Sequence, residues 1–411
     1  MLLRHRKLTP LEDRGPLRVM FVITCMPVGG AETLLVELVR RFDRERFVPE
    51  ICCLKYRGPL GEALAQEVPT WTGLLEHKYD FAVLGRLRRL LRRRRIDAVV
   101  TVGTGGDKMF WGRLAAALEG VPVICSWLHS TGLPDHVELP NRLLAPVTDA
   151  FIAVAEPHGR YLAEHEGCPA SKVRVVPNGV DPQRFHPRWP KETLRDELGL
   201  SPTAPVVGIV AALRPEKRHD RFLHCAARIL GHLPAARFLV VGDGPERRRL
   251  EALSTDLGLV HSVRFLGNRD DVPELLALMD MMLLTSEMEA NPVSILEAMA
   301  AERPVVAPQV GSIGEIVIDG KTGRLFPPGD VEAAAAAVIE LLSDKNRAAA
   351  MGRAGREAVL AHGSIDEMVR HWESLLSEIY QQKATKKPPS PPAPTEQQKT
   401  VGTRRQTEPR P

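Results

Sequence analysis

From Leu17 onward, short apolar runs alternate with longer segments whose apolar residues recur every three or four positions. LRVMFVITC, FVPEICCLKY, IDAVVTVGT, VPVICSWLH, DAFIAVAE and KVRVVPNGV are runs of the first kind. They are short, continuous and rich in Val and Ile, which suits parallel strands buried on both faces. Helical segments such as AETLLVELVRRF separate them. The series then restarts with PVVGIVAAL, ARFLVVGDG, SVRFLGN, MMLLTS and PVVAP. Between the two series, VDPQRFHPRWPKETLRDELGLSP has little strand signal and carries prolines at 182, 187, 190 and 202, so it reads as a linker. The pattern predicts an α/β chain of two successive doubly wound parallel sheets. Ligands of such sheets bind beyond the carboxyl ends of the strands, and the cleft between the domains is the expected site.

Composition changes this picture mainly at the ends. The 411 residues are enough for two ordinary domains, and 44% are hydrophobic. The net charge is +4, but residues 383–411 hold seven Lys/Arg against two Glu, so subtracting their +5 leaves −1 on the first 382 residues. A nearly neutral body argues against a nucleic-acid binder held by phosphate contacts. The tail also holds seven prolines and reads as disordered. Residues 1–16 read as a short loose extension. The six cysteines, at 25, 52, 53, 125, 168 and 225, have neither metal nor redox spacing, which suits reduced thiols in a cytoplasmic compartment. No signal peptide or spanning segment is visible.

The stretch TSEMEANPVSILEAMAAERPVVAP, Thr285 to Pro308, combines acids with an apolar helix. Asn291 and Pro292 read as N-cap and first helical residue. Glu289 then lies in the loop before the helix and Glu297 in its second turn. The free N–H groups at the helix start, around Asn291, Pro292 and Val293, form an anion site. A carboxylate beyond that site suits the paired hydroxyls of a ribose. On spacing alone the two acids read first as incidental acids of a solvated helix start. Gly29 and Gly30 follow a strand and precede a helix, where a missing Cβ lets backbone approach a phosphate. Gly242 and Gly244 begin a GxG whose third glycine position is Arg247, so the dinucleotide fingerprint fails and a nicotinamide enzyme is not expected. Arg214 and Lys217 form a cationic pair after the strand PVVGIVAAL. His129 ends the strand VPVICSW.

As a set these motifs resemble the large retaining glycosyltransferase family 4, of GT-B fold. The resemblance runs through PVGGAE (Pro27 to Glu32), PNGVDPQRF (Pro177 to Phe185), LRPEK, VGDGPER, FLGNRDDV, Glu289-x7-Glu297 with Ala-Met-Ala, and VGSIGEIVIDGKTGRLFPPGD (Val310 to Asp330). It covers roughly Leu17 to Lys383. It implies an acceptor-side Rossmann-like domain over 17–185 and a nucleotide-sugar domain over 186–363. A C-terminal helix over 364–383 would cross back to the first domain, leaving the tail as 384–411.

The resemblance further implies transfer of a sugar, with retention, from a nucleotide diphosphate sugar, UDP-linked above all, to a hydroxyl of a glycan or lipid-linked acceptor. No metal and no cofactor is expected. Lys217 and the helix start would meet the diphosphate, with the Gly29–Gly30 amides and Gly242 near the donor. His129 would line the donor sugar, Glu289 would bind or orient it, Glu297 would hold the ribose, and Arg269 and Asp271 would lie near the base. One departure stands out. Ala212 occupies the slot where relatives commonly carry Arg, and Arg214 is expected to take over that charge. A nucleotide-sugar epimerase of the same fold and a non-catalytic nucleotide-sugar-binding protein are the alternatives.

The run GRLRRLLRRRRID places seven arginines between Arg86 and Arg95 on a helix with one apolar stripe. It reads either as a solvated face or as a patch for an anionic membrane surface, which would put the protein peripherally at the inner face of the membrane.

Overall fold

The computed structural model describes residues 6–77, 80–103, 106–129, 137–188 and 192–385; of 106–109, only the backbone is described. Seven parallel strands form the first sheet: β1 (Leu17–Ile23), β2 (Phe47–Cys53), β3 (Thr70–Trp71), β4 (Ala98–Gly103), β5 (Val123–Leu128), β6 (Ala150–Ala153) and β7 (Val173–Val175), in the order β3-β2-β1-β4-β5-β6-β7. Six form the second: β8 (Val206–Val210), β9 (Arg237–Val241), β10 (Val263–Gly267), β11 (Met281–Leu283), β12 (Val305–Pro308) and β13 (Gly323–Phe326), in the order β10-β9-β8-β11-β12-β13. Both sheets are doubly wound and sandwiched by helices, as the apolar pattern predicts.

In β1 the two faces separate cleanly. Val19, Phe21 and Ile23 join one buried cluster, whereas Met20 and Val22 join another on the opposite face. Strands buried on both sides have no room for a polar alternate, which is why these runs are continuously apolar. A third large cluster fills the second domain.

The final helix, Ile365–Thr385, belongs to the first domain by packing. Ile365, Met368, Val369, Trp372, Leu376 and Tyr380 make a stripe at helical spacing and are buried in the same cluster as Phe21 and Trp127. The helix extends through Thr385, and the remainder of the Pro-rich tail lies outside the described residues. The chain crosses between domains twice, and the crossings are tied together. Val180 N–H donates to Gly363 O (2.9 Å) and Ile365 N–H to Val180 O (2.9 Å). A Cβ on Gly179 would lie 2.4 Å from Ser364 O, so only glycine allows this approach.

The N-terminal segment is less loose than its sequence reads. Leu11 N–H donates to Gln381 Oε1 (3.0 Å), Tyr380 Oη donates to Thr9 O (3.1 Å), and Arg14 pairs with buried Asp97 (2.7 Å). From Arg6 onward it is held against the final helix and the foot of the first sheet by polar contacts that apolar patterning does not register.

The arginine-rich helix, Ala82–Arg94, is a packing element as much as a charged face. Val83, Leu87, Leu90 and Leu91 are buried. Arg86 pairs with Asp80 (2.6 Å) and Glu76 (2.8 Å), and Arg88 and Arg92 share Glu119. Arg94 clamps both oxygens of fully buried Glu50 (2.9 and 3.1 Å), which also accepts from Trp71 Nε1 (3.1 Å) and Arg18. The helix's arginine end lies where β4 begins, at the edge of the sheet opposite the cleft. Arg94→Ser should therefore lower stability by roughly 2–3 kcal/mol by stripping a cation from a buried carboxylate. Arg89→Ser, at an exposed position, should stay within about 0.5 kcal/mol of wild type. Denaturant melts of the two variants read the contrast, and equal losses would contradict it.

Candidate active site in the interdomain cleft

In each sheet the strand order reverses at one place, between β1 and β4 in the first and between β8 and β11 in the second. The loops at these switch points are free of crossover helices and are the ligand-binding positions of open α/β sheets. β1 runs out into Gly29–Gly30, β8 into Arg214–Lys217, and β11 into Glu289. They converge across the cleft. A Cβ on Gly30 would lie 3.8 Å from Val293 Cγ2, so the first domain's Gly-rich loop faces the start of the helix Val293–Ala300.

That helix start differs from its sequence reading. Pro292, not Asn291, is the N-cap, Val293 is the first helical residue, and no side chain caps the first turn. Asn291 is engaged across the cleft. Its Nδ2 donates to Val154 O (2.9 Å), and its own carbonyl accepts from Asn178 Nδ2 (2.9 Å). Val154 ends β6 with a carbonyl that needs a donor, and the Asn291 amide supplies it. The helix N–H groups are thereby left without a protein side chain, which keeps the anion site open.

Glu289 and Lys217 meet in the cleft. Lys217 Nζ lies 2.7 Å from Glu289 Oε1 and 2.8 Å from Oε2, and Ser286 Oγ donates to Oε1 (2.6 Å). The Glu289 side chain is 4% exposed and that of Lys217 20%. Burial of either charge alone would be costly, and the pair removes that cost. The loops carrying them are laced together. Glu287 N–H donates to Glu216 O (2.9 Å), and Thr285 Oγ1 to Arg218 O (3.0 Å). Gly311, at φ +53°, packs so closely that a Cβ would lie 1.7 Å from Glu289 O, and Ser312 Oγ donates to Ala290 O. Arg218, in the left-handed region, pairs with Asp220 (2.8 Å) and Glu287 (3.1 Å), so its charge is already met.

His129 follows β5, its amide bonded to Gly103 O (3.0 Å). Its ring lies 4.7 Å from that of Trp127, and Nε2 is buried without a hydrogen-bond partner among the described residues. Burial first, and His158 second, push its pKa down to about 3, so the imidazole is neutral. Glu297 is half-buried in the second helical turn, and desolvation, opposed by Arg184, pushes its pKa up to about 7. Gly242, at φ +133°, sits where a Cβ would be 2.1 Å from Ala211 O; it lets the ends of β8 and β9 close up beside Arg214 and Lys217.

Arg214 is exposed at its turn. Its charge is felt by Glu32, whose carboxyl is raised in pKa by burial and pulled back by its own backbone amide and by Arg214. Glu32 fills the space beside Gly29, where a Cβ would meet its Oε2 at 2.4 Å. The head of the first Gly-rich helix is thus covered by the chain's own carboxylate. Arg269 and Asp271 follow β10, two strands from β8 or roughly 10 Å away. They are forked onto each other at 2.7 Å, with Glu197 on the same guanidinium at 3.2 Å.

The structure therefore brings Gly30, Val293, Asn291, Lys217 and Glu289 to one place, with Gly29 and Arg214 at its margin and Arg269 and Asp271 on the outer strand. Sequence reasoning missed Ser286, Arg218, Glu32, Asn178 and Ser312. Arg218 and Ser286 adjoin named residues, but a hydroxyl or guanidinium beside a turn gives no periodic signal. Asn178 lay in a quoted motif without an assigned role. Among the described residues no group of three or more His, Cys, Asp or Glu is placed to hold a metal, and no helix is long and apolar enough to cross a membrane.

Comparison with known proteins agrees with this geometry. The family model for Glycosyltransferase Family 4 matches residues 28–184, and that for Glycosyl transferases group 1 matches 190–358. The chain is 29% identical over 306 residues to the N-acetyl-alpha-D-glucosaminyl L-malate synthase of Bacillus anthracis, covering 73% of this chain and 80% of that one. It is 27% identical over 341 residues to the UDP-Gal:alpha-D-GlcNAc-diphosphoundecaprenol alpha-1,3-galactosyltransferase of Escherichia coli, covering 79% and 87%. The crystal structure of Anabaena HepE in complex with UDP and glucose superposes with a TM-score of 0.77 at 22% identity, over 88% of this chain and 100% of that one, a likeness of fold. With both halves matched and the two opposed sheets in place, the chain belongs to the family 4 glycosyltransferases of GT-B fold, which act on nucleotide sugars.

Proposed function

We propose that the protein transfers a sugar, with retention at the anomeric carbon, from a UDP-sugar to an acceptor hydroxyl in the synthesis of a polysaccharide, glycolipid or related glycoconjugate. The observation that carries this reading is the Lys217–Glu289 pair beside the uncapped start of the helix Val293–Ala300, at two facing switch points. UDP and a glycan- or lipid-linked acceptor are favoured by the names of the galactosyltransferase relative and of the HepE complex.

Retaining transfer develops positive charge at the anomeric carbon and negative charge on the leaving diphosphate. Lys217 and the helix N–H groups meet the negative charge, with Arg214 replacing the cation lost at Ala212. Lys217 is neutralised by Glu289. When the diphosphate takes Lys217, Glu289 keeps Ser286 and turns its freed oxygen to the sugar. Glu32 yields the Gly29–Gly30 head to a phosphate by the same logic. His129, neutral and with a buried ring nitrogen that lacks a partner among the described residues, lines the sugar. Glu297 takes the ribose hydroxyls, and the base lies toward Arg269 and Asp271.

Incubation with UDP-, GDP- and ADP-sugars and a glycan or lipid-linked acceptor tests the reading. Transfer with retained configuration, seen by NMR of the product, supports it, and donor binding without turnover rejects it. Glu297→Ala should weaken nucleotide binding by roughly 1.5–3 kcal/mol, the worth of hydrogen bonds to a charged group. Glu289→Gln should lower turnover far more than nucleotide affinity. Arg214→Ala should lower turnover by roughly 10²-fold. Calorimetry and steady-state rates on the folded variants separate these effects, and equal losses of affinity and rate in Glu289→Gln would reassign its role.

Burial of Glu297 also makes a stability prediction. Its folded pKa, about 7, exceeds the ordinary 4.5. The folded state therefore holds the proton more tightly, and stability is fully present below the unfolded pKa and lost as pH rises toward 7. Glu297→Gln should be indistinguishable from wild type at pH 4 and more stable by roughly 1–3 kcal/mol at pH 8, each pKa unit being worth about 1.4 kcal/mol. A pH-independent difference between the two melting curves would contradict it.

Contact with an anionic membrane rests on Arg89, Arg93 and Arg95, exposed and free of carboxylate partners in the described structure, unlike Arg86, Arg88, Arg92 and Arg94. Changing those three to Ser should reduce sedimentation with phosphatidylserine vesicles, mostly at low salt. Failure of wild type to sediment removes the membrane reading and leaves the transferase reading intact.

A further inference from the structure

His129 has little to hold its ring. Its amide is fixed by Gly103 O, but among the described residues Nε2 has no hydrogen-bond partner. An imidazole has a broad torsion about its second side-chain bond, so without hydrogen bonds its orientation depends on what packs against it. What packs against it is Trp127, two residues earlier and on the same face of the sheet, with ring centroids 4.7 Å apart. Trp127 is completely buried and meets Trp372 edge-on at 4.9 Å and 63°. Trp372 is also completely buried and belongs to the helix Ile365–Thr385, which starts at the second crossing between domains. Among the described residues neither indole N–H has a hydrogen-bond partner. The stack is packed edge to face between completely buried rings, an arrangement that is specific in shape.

We propose that Trp372, carried by the final helix, acts through Trp127 as a positioning residue for His129, so that the helix crossing back from the second domain holds the imidazole at the cleft. The proposal rests on the reading of His129 as the residue beside the donor sugar. It adds to that reading a part of the chain far along the sequence and outside the family's substrate-binding motifs. Aromatic edge contacts are short-ranged and shape-specific. Removing Trp372 opens space behind Trp127, lets the Trp127 ring tilt, and frees His129 to turn and take up water.

The groups around His129 make this measurable. The helix Glu156–His165 contributes His158, the second cause of the low His129 pKa after burial. β4 contributes uncharged Gly103. On the final helix, Glu373 beside Trp372 turns away, accepting from Asp43 N–H (2.8 Å) and lying 3.4 Å from Arg46. Loosening the stack therefore changes mainly the burial of His129, and hydration moves its pKa upward toward the ordinary value.

The test uses the full chain with Trp372→Leu, Trp372→Phe, His129→Ala and the double variant Trp372→Leu/His129→Ala. Histidine-labelled NMR follows the titration of each imidazole. His129 should resist protonation in wild type down to about pH 4, titrate at distinctly higher pH in Trp372→Leu, and return toward wild type in Trp372→Phe. Turnover on the sugar nucleotide identified by the donor panel should fall on the order of tenfold in Trp372→Leu, the scale expected of a sub-ångström misplacement, with nucleotide affinity unchanged. In the His129→Ala background, Trp372→Leu should cost nothing further. An unchanged His129 titration in folded Trp372→Leu overturns the proposal, as does an equal loss of turnover with and without His129. If His129→Ala alone turns over normally, the reading of His129 at the sugar fails, and the titration still decides whether Trp372 positions the ring.

Discussion

Two backbone hydrogen bonds, Val180 N–H to Gly363 and Ile365 N–H to Val180, govern how this molecule is arranged. They join the outgoing and returning crossings between two sheets that otherwise fold around separate clusters. A parallel sheet presents its binding loops at one edge only, so two such sheets make a site only if those edges face each other. The staple, with Gly179 pressed on Ser364, fixes the place about which they do so. The Gly-rich loop after β1 then looks at the helix after β11. The last helix is left on the first domain, where Trp372 comes within reach of the loop after β5.

Around that frame the cleft is assembled from charges that satisfy one another. Lys217 with Glu289, Arg218 with Asp220 and Glu287, and Arg269 with Asp271 are all close pairs. A half-buried cation would be costly without a partner, and a neighbouring carboxylate offsets that cost until a phosphate replaces it. On the proposed function such an exchange is nearly even in charge, which would let an anionic donor enter and a diphosphate leave. Ser286 and the close backbone approach at Gly311 keep Glu289 in place during the exchange.

The sequence was most legible where burial dominates. Eleven of the thirteen strands coincide with the apolar runs, all but the short β3 and β13, and the stripe from Ile365 to Tyr380 places the last helix. The site was legible through strand ends. Gly29–Gly30, Lys217 and Glu289 sit at switch points because turn glycines and charges after apolar runs mark where strands stop. Less legible were contacts whose partner is distant along the chain. Asn291 reads as a cap because capping is local, yet its amide is drawn to Val154, 137 residues away. Arg94 reads as solvated because Glu50, its buried partner, is hidden in an apolar run. Trp127 and Trp372 read as ordinary core, since no pattern distinguishes an aromatic that packs on core from one that packs on a histidine.

The contacts between the two domains differ in kind, and the difference bears on turnover. Across the cleft they are few and polar: Asn291 to Val154 and Asn178 to Asn291, beside the small apolar contact of Val293 with Gly30. Each is worth about 1 kcal/mol net and is replaceable by water. Behind the cleft, the final helix is bound by a continuous apolar stripe ending in Tyr380, with Arg14 on its hydroxyl. A contact of that type cannot open piecemeal without exposing a large apolar area. On the proposed function, donor entry and product release would open the polar seam about the staple at Val180 and leave the final helix, with Trp372 on Trp127, packed on the first domain. His129 is backed by the first domain's own cluster through Trp127 and Trp372, whereas Glu289 and Lys217 belong to the other sheet.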